Sequence, residues 1–121
     1  MTILLIESDP FFARIYTKKM EEQGWGVSIA TSGDVGVKKA FAEPPSCIVL
    51  DLLLPGKHGF EVMEELKENA ATASVPVIVL TDLCEPEDVE RCRIFGASCY
   101  AIKAHVTPDG IVKRIKEITS S

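Results

Sequence analysis

Cys47-Ile48-Val49-Leu50-Asp51 is a run of four apolar residues with no polar alternation, closed abruptly by an acid. Two other stretches share this form, Ile3-Leu4-Leu5-Ile6 ahead of Glu7 and Val77-Ile78-Val79-Leu80 ahead of Thr81. A continuous apolar run of this length is a strand covered on both faces, which belongs in a parallel sheet. Two weaker segments, residues 27–31 and 99–102, have the length and composition to complete five strands.

The intervening segments have helical spacing. The first helix is expected to open with Asp9 as its cap and Pro10 in its first turn, to bury Phe12, Ile15, Tyr16 and Met20, and to stop at Gly24. The second follows Ser32-Gly33, turns Val37, Ala40 and Phe41 inward, and ends before Pro44-Pro45. The third, from Gly59 to Asn69, buries Phe60, Met63 and Leu66 and leaves its glutamates to solvent. The fourth begins near Pro86 with Val89, Cys92 and the neighbourhood of Phe95 inward, and the fifth begins at Thr107-Pro108 with Ile111, Val112, Ile115 and Ile118 as its stripe. Strand-helix alternation repeated five times predicts an α/β fold: a doubly wound, three-layer parallel sheet with helices on both faces.

The chain has 121 residues, enough for one core, so residues 1–121 are expected to form a single domain with no output domain in this chain. The net charge is −5 and no basic run interrupts it, which argues against direct nucleic-acid binding. No apolar run is long enough to span a bilayer and no secretory signal opens the sequence, so a cytoplasmic protein without membrane contact is expected. The four cysteines lie in apolar patterns and lack metal-ligand spacing, and are expected to be reduced core thiols. His58 is assigned no role beyond the surface.

In an open parallel sheet every strand ends at one edge, and ligands bind there. That edge receives Glu7, Ser8 and Asp9 from the first strand, Asp51 from the third, Thr81 and Asp82 from the fourth and Lys103 from the fifth. Two ionised carboxylates about 5 Å apart repel by roughly 3 kcal/mol at an effective dielectric of 20, so such a cluster calls for a cation. Magnesium takes carboxylate and carbonyl oxygens, keeps several waters and leaves room for a phosphate oxygen. With a lysine and a hydroxyl alongside, these parts suit a phosphoryl group carried on an aspartate.

Glu7-Ser8-Asp9-Pro10, Asp51-Leu52-Leu53-Leu54-Pro55-Gly56 with Gly59, Val79-Leu80-Thr81, and Gly96-Ala97 with Tyr100 and Lys103 resemble, in order, the signatures of the CheY-like receiver domain of response regulators. The resemblance runs from about residue 3 to residue 118 and implies a flavodoxin-like strand order of 2-1-3-4-5. It implies a non-enzymatic phosphoacceptor module of two-component signalling, in which Asp51 receives a phosphoryl group from a sensor histidine kinase or phosphotransfer protein. It further implies that Mg2+ is held by Asp51, the Leu53 backbone carbonyl and Glu7 through water. Thr81 and Lys103 would bind phosphoryl oxygens, and Tyr100 would turn inward behind a displaced Thr81. The surface of the fourth helix, fifth strand and fifth helix would then change its preference for a downstream protein partner.

Three positions depart from the family pattern. Ser8 stands where the second acid, a direct metal ligand, is usual, so it is expected to bind weakly or through water and to lower Mg2+ affinity; Asp9 is expected to cap the helix rather than replace it. Asp82 stands where a small residue is common, and would repel a phosphoryl donor, position water for slow autodephosphorylation, or cap the helix near Pro86. Lys103-Ala104 replaces Lys-Pro, which makes a trans peptide the default. The alternative function is a receiver-like interaction domain with weak or no metal binding and phosphorylation. A haloacid-dehalogenase-like phosphatase would need a second Asp where Leu53 stands, and flavodoxin would need a hydroxyl-rich phosphate loop after the first strand.

Overall fold

The computed structural model describes residues 1–120. Five parallel strands, β1 (Thr2–Ile6), β2 (Gly26–Ala30), β3 (Cys47–Leu50), β4 (Val77–Thr81) and β5 (Cys99–Ile102), pair in the order β2-β1-β3-β4-β5. The helices α1 (Pro10–Glu21), α2 (Gly33–Ala42), α3 (Gly59–Glu68), α4 (Pro86–Ile94) and α5 (Pro108–Thr119) lie between and after them. This is the flavodoxin-like order expected from the sequence.

Pleating sorts the central strands' side chains between two cores. Ile3, Leu5, Val49, Ile78 and Leu80 pack with Tyr16 and Met20 of α1 and Ile111 and Ile115 of α5. Leu4, Ile6, Leu50 and Val79 pack with Val37 of α2, Phe60, Met63 and Leu66 of α3, and Cys92 of α4. Because both faces are covered, β1 from Ile3 onward, β3 and β4 are buried throughout, and each large side chain so buried contributes about 1.5 to 3 kcal/mol. The edge strand β2 is largely exposed, and Lys39 blunts it by donating to the Ile29 carbonyl at 2.6 Å.

Helix starts follow from capping chemistry. Asp9, Ser32 and Thr107 each accept a hydrogen bond from a backbone N–H in the first turn of α1, α2 and α5. Four expectations need correction. Phe41 and Val89 are each 38% exposed, as residues at the margin of a helix's apolar stripe can be. Cys84 is an exposed thiol in the loop before α4, and not a core one. His58 is half-buried: its Nδ1 accepts from Phe60 N–H at 3.2 Å as the cap of α3, and its ring stacks on Phe60. Asp82 does not cap α4, whose cap position is Glu85 with no side-chain hydrogen bond.

Candidate functional site

Register aligns the strand ends that matter. Ile6 is level with both Ala30 and Leu50, Leu50 with Val79, and Thr81 with Ile102. The following residues therefore leave the sheet at one edge, on either side of the place where the chain turns from β1 toward β2 and, later, toward β3. Glu7 N–H donates to Ala30 O at 2.9 Å and Asp51 N–H donates to Ile6 O at 3.0 Å, so both acids are still fixed by the ladder.

Their carboxylates are 2% and 7% exposed and converge on one cation. Lys103 Nζ lies 2.6 Å from Glu7 Oε1 and 2.7 Å from Asp51 Oδ2, with its own side chain 6% exposed. The other carboxylate oxygens accept from backbone N–H groups, Asp9 on Glu7 at 3.1 Å and Leu53 on Asp51 at 3.2 Å. Burial raises the Glu7 pKa above the ordinary carboxylate range, and the opposing hydrogen bond from Lys103 does not cancel it. Burial disfavours the Lys103 ammonium, but hydrogen bonds to Asp51 and Glu7 outweigh it and hold the Lys103 pKa above its usual value.

The structure brings Glu7, Asp51 and Lys103 into direct contact. The Lys103–Ala104 peptide is trans and opens a single 3-10 turn over Lys103–His105. Thr81 is fully buried, and its Oγ1 accepts from Leu83 N–H at 3.4 Å. Tyr100 is half-buried and its hydroxyl donates to the Leu83 carbonyl. Thr81 and Tyr100 thus grip the two sides of one residue, Leu83, in the loop after β4. Ser8 is half-buried beside Glu7, while Asp82 is exposed. Asp9 Oδ1 accepts from Phe11 N–H at 2.8 Å, so that acid serves α1.

The loop from Asp51 to α3 is held closely. Gly59 N–H donates to Leu52 O at 3.0 Å, and a Cβ at Gly59 would meet the Leu52 Cα at 2.5 Å, so only glycine lets α3 start this close to the strand end. Gly56 turns with φ +74° against the Asp34 carboxylate. Sequence reasoning missed two participants. Leu83 contributes through its backbone, which no side-chain pattern reveals. Phe12, expected only as core, presents its ring to Lys103, with Nζ 4.8 Å from the centroid. A cavity of about 580 Å³ between β5 and α5 contains none of the converging groups, whereas one of about 460 Å³ between α1 and β2 is lined by Glu7.

A divalent cation fits the donor set. Two buried carboxylates already share one cation, which fixes their oxygens near each other, and magnesium needs only one or two carboxylates because it retains water. Among the described residues no three His, Cys, Asp or Glu side chains are grouped to hold a metal.

Comparison with known proteins agrees with this fold. The profile of the response regulator receiver domain matches residues 3–116. The response regulator ArlR of Staphylococcus epidermidis is 30% identical over 101 residues, covering 84% of this chain but 45% of ArlR, so the chain spans less than half of that relative. Protein PilH of Pseudomonas aeruginosa is 29% identical over 116 residues, covering 96% of this chain and 95% of PilH. Among solved structures, the Mn2+-bound form of response regulator Rcp1 superposes with a TM-score of 0.80 at 28% identity, covering 98% of this chain and 91% of that one.

Proposed function

The chain belongs to the response regulator receiver domain family, and from that premise we propose that Asp51 is its phosphoacceptor and that phosphorylation there switches a protein-interaction face. The observation that carries the reading is the convergence of Glu7, Asp51 and Lys103 within single hydrogen-bond distances at the sheet edge. Desolvating a carboxylate and an ammonium is costly, so a buried pair of this kind at a sheet edge is a poor source of stability and points to a functional site. Receiver domains are regulatory and work with histidine kinases or phosphotransfer proteins, so a phosphohistidine is the proposed donor.

In the proposed transfer an Asp51 carboxylate oxygen attacks phosphorus, the P–N bond to the donor imidazole breaks, and the imidazole leaves with the bonding pair and takes up a proton. The product is an aspartyl phosphate. Lys103 then exchanges its Asp51 contact for a phosphoryl oxygen. The Thr81 hydroxyl, which now only accepts from Leu83, retains its own hydrogen to donate to another. That movement loosens one side of Leu83 while Tyr100 holds the other, and so transmits the change to α4, β5 and α5. Mg2+ would be held by Asp51, the Leu53 carbonyl and, through water, Glu7, with Ser8 as a neutral neighbour; when bound it offsets the charge on the carboxylates and the transferring phosphoryl oxygens. Asp82, exposed beside this site, is proposed to discourage anionic donors and to orient water that hydrolyses the aspartyl phosphate slowly.

Incubation with a small-molecule phosphodonor and magnesium, read by intact mass, is expected to add one phosphate to the protein and none to Asp51→Asn. An unmodified mass at saturating donor would overturn this reading in favour of an interaction domain that works without phosphorylation.

A further inference from the structure

Lys103 reaches its partners from the first residue beyond β5 and enters a 3-10 turn at once, so the backbone that follows it is not the stiff Lys-Pro segment the family usually has. Its ammonium nevertheless sits in one place. Glu7 and Asp51 take two of its three N–H directions. A third side is closed by the face of the Phe12 ring, with Nζ 4.8 Å from the centroid.

That ring is itself braced. It stacks on Tyr16 one helical turn along, with centroids 5.9 Å apart and planes inclined by 18°, and Phe11 meets it edge-on at 5.5 Å. Tyr16 is 3% exposed and anchored among the side chains of the α1–α5 core. Phe12 therefore cannot swing away without dismantling the stack. The negative face of an aromatic ring attracts an ammonium, most strongly where water is excluded, and the Lys103 side chain is almost wholly out of water.

We propose that Phe12 is a positioning residue for Lys103: its ring face seats the ammonium at the Glu7–Asp51 pair and keeps it seated while its hydrogen bonds are exchanged. A ring suits this task better than another carboxylate. Its face attracts the ammonium as a whole and fixes no single N–H direction, so Lys103 can turn from Asp51 toward a phosphoryl oxygen without leaving it, and it adds no negative charge to compete for the ammonium. The inference rests on Asp51 as the phosphoacceptor for its effect on rate, but the seat itself is a property of the resting protein. If Phe12 were only core filling, an aliphatic side chain of similar volume would serve equally.

The test compares wild type, Phe12→Leu and Phe12→Tyr by two measurements. In NMR spectra, the ε-methylene protons of Lys103 are expected upfield of an ordinary lysine because of the ring, to return to the ordinary position in Phe12→Leu, and to stay shifted in Phe12→Tyr. Uptake of phosphate from a small-molecule donor is expected to slow about five-fold in Phe12→Leu, the effect of losing one partly desolvated cation–ring contact, and to be largely recovered in Phe12→Tyr. Should the leucine variant not fold, Phe12→Met takes its place. Unshifted Lys103 methylenes in the wild type, or a wild-type rate in Phe12→Leu, would overturn the proposal. Failure of the wild type to take up phosphate would instead remove the functional reading, and the NMR shift alone would then decide the seat.

Discussion

Lys103→Met removes the ammonium while keeping most of the aliphatic stem, and isolates the electrostatics of the site. It leaves the Glu7 and Asp51 carboxylates, 2% and 7% exposed, facing each other with no cation between them. Because both oxygens lie within 2.7 Å of the same nitrogen, their separation is at most about 5 Å, and unit charges at that distance repel by about 3 kcal/mol at an effective dielectric of 20. That agrees with the roughly 3 to 5 kcal/mol lost when one partner of a buried pair is removed. Glu7 already has a raised pKa, and loss of Lys103 raises it further. A carboxylate with a folded-state pKa above its unfolded value contributes stability that is fully present below the unfolded pKa and is lost as pH rises through the folded one. The deficit of the variant is therefore expected to be about 3 kcal/mol at pH 7 and to shrink toward pH 4.5. Urea unfolding at both pH values, followed by the single tryptophan, Trp25, gives the comparison, and Lys103→Met combined with Glu7→Gln should recover most of the loss at pH 7. A deficit independent of pH, or below about 1 kcal/mol at pH 7, would mean that Lys103 acts by packing, and would refute the charge argument.

Two further outcomes follow from the same interior. Ser8→Asp adds an anion beside Glu7, so magnesium affinity measured by calorimetric titration should rise about ten-fold and the melting temperature in chelator should fall; unchanged affinity would show that Ser8 lies outside the metal's reach. The two tyrosines, Tyr16 and Tyr100, both have pKa values pushed up to about 12 by burial. Their contribution to stability is fully present below about pH 10 and is lost as pH rises toward 12, so absorbance at 295 nm should show no more than about a tenth of the tyrosines ionised in the folded protein at pH 11.

The strands were legible because burial on both faces demands unbroken apolar sequence, and three helix starts because Asp9, Ser32 and Thr107 carry the side-chain oxygen a cap requires. Phe41 and Val89 were misplaced for a physical reason: spacing identifies a stripe, but whether its margin is covered depends on how the helix is rolled against the sheet. His58 escaped notice since imidazole is an uncommon cap, and its stacking on Phe60 has no sequence signature. Within the site, the edge that receives Glu7, Asp51, Thr81 and Lys103 was readable from strand ends alone. The ring of Phe12 was not, because its helical spacing has an equally good explanation in the core, and only the relative placement of α1 and the chain after β5 turns its face to Lys103.

Ser8 and the Lys103 contacts have to be considered as one charge balance. Glu7, Asp51 and Lys103 sum formally to a single negative charge, whereas a second acid at position 8 would double it; Asp9 turns one carboxylate oxygen to Phe11 N–H at the start of α1. The resting site thus carries one uncompensated negative charge instead of two. Phosphorylation changes this balance in one direction only: Asp51 exchanges one negative charge for the roughly two of a phosphoryl group, while Glu7 stays as it is. The attraction on Lys103 toward Asp51's position therefore increases as the bond forms, and the ammonium needs no other trigger to move. A site with one fewer acid relies less on a metal for its resting stability and correspondingly more on the accuracy with which Lys103 is held, which is why an aromatic seat for that ammonium matters more in this chain than in one with both acids present.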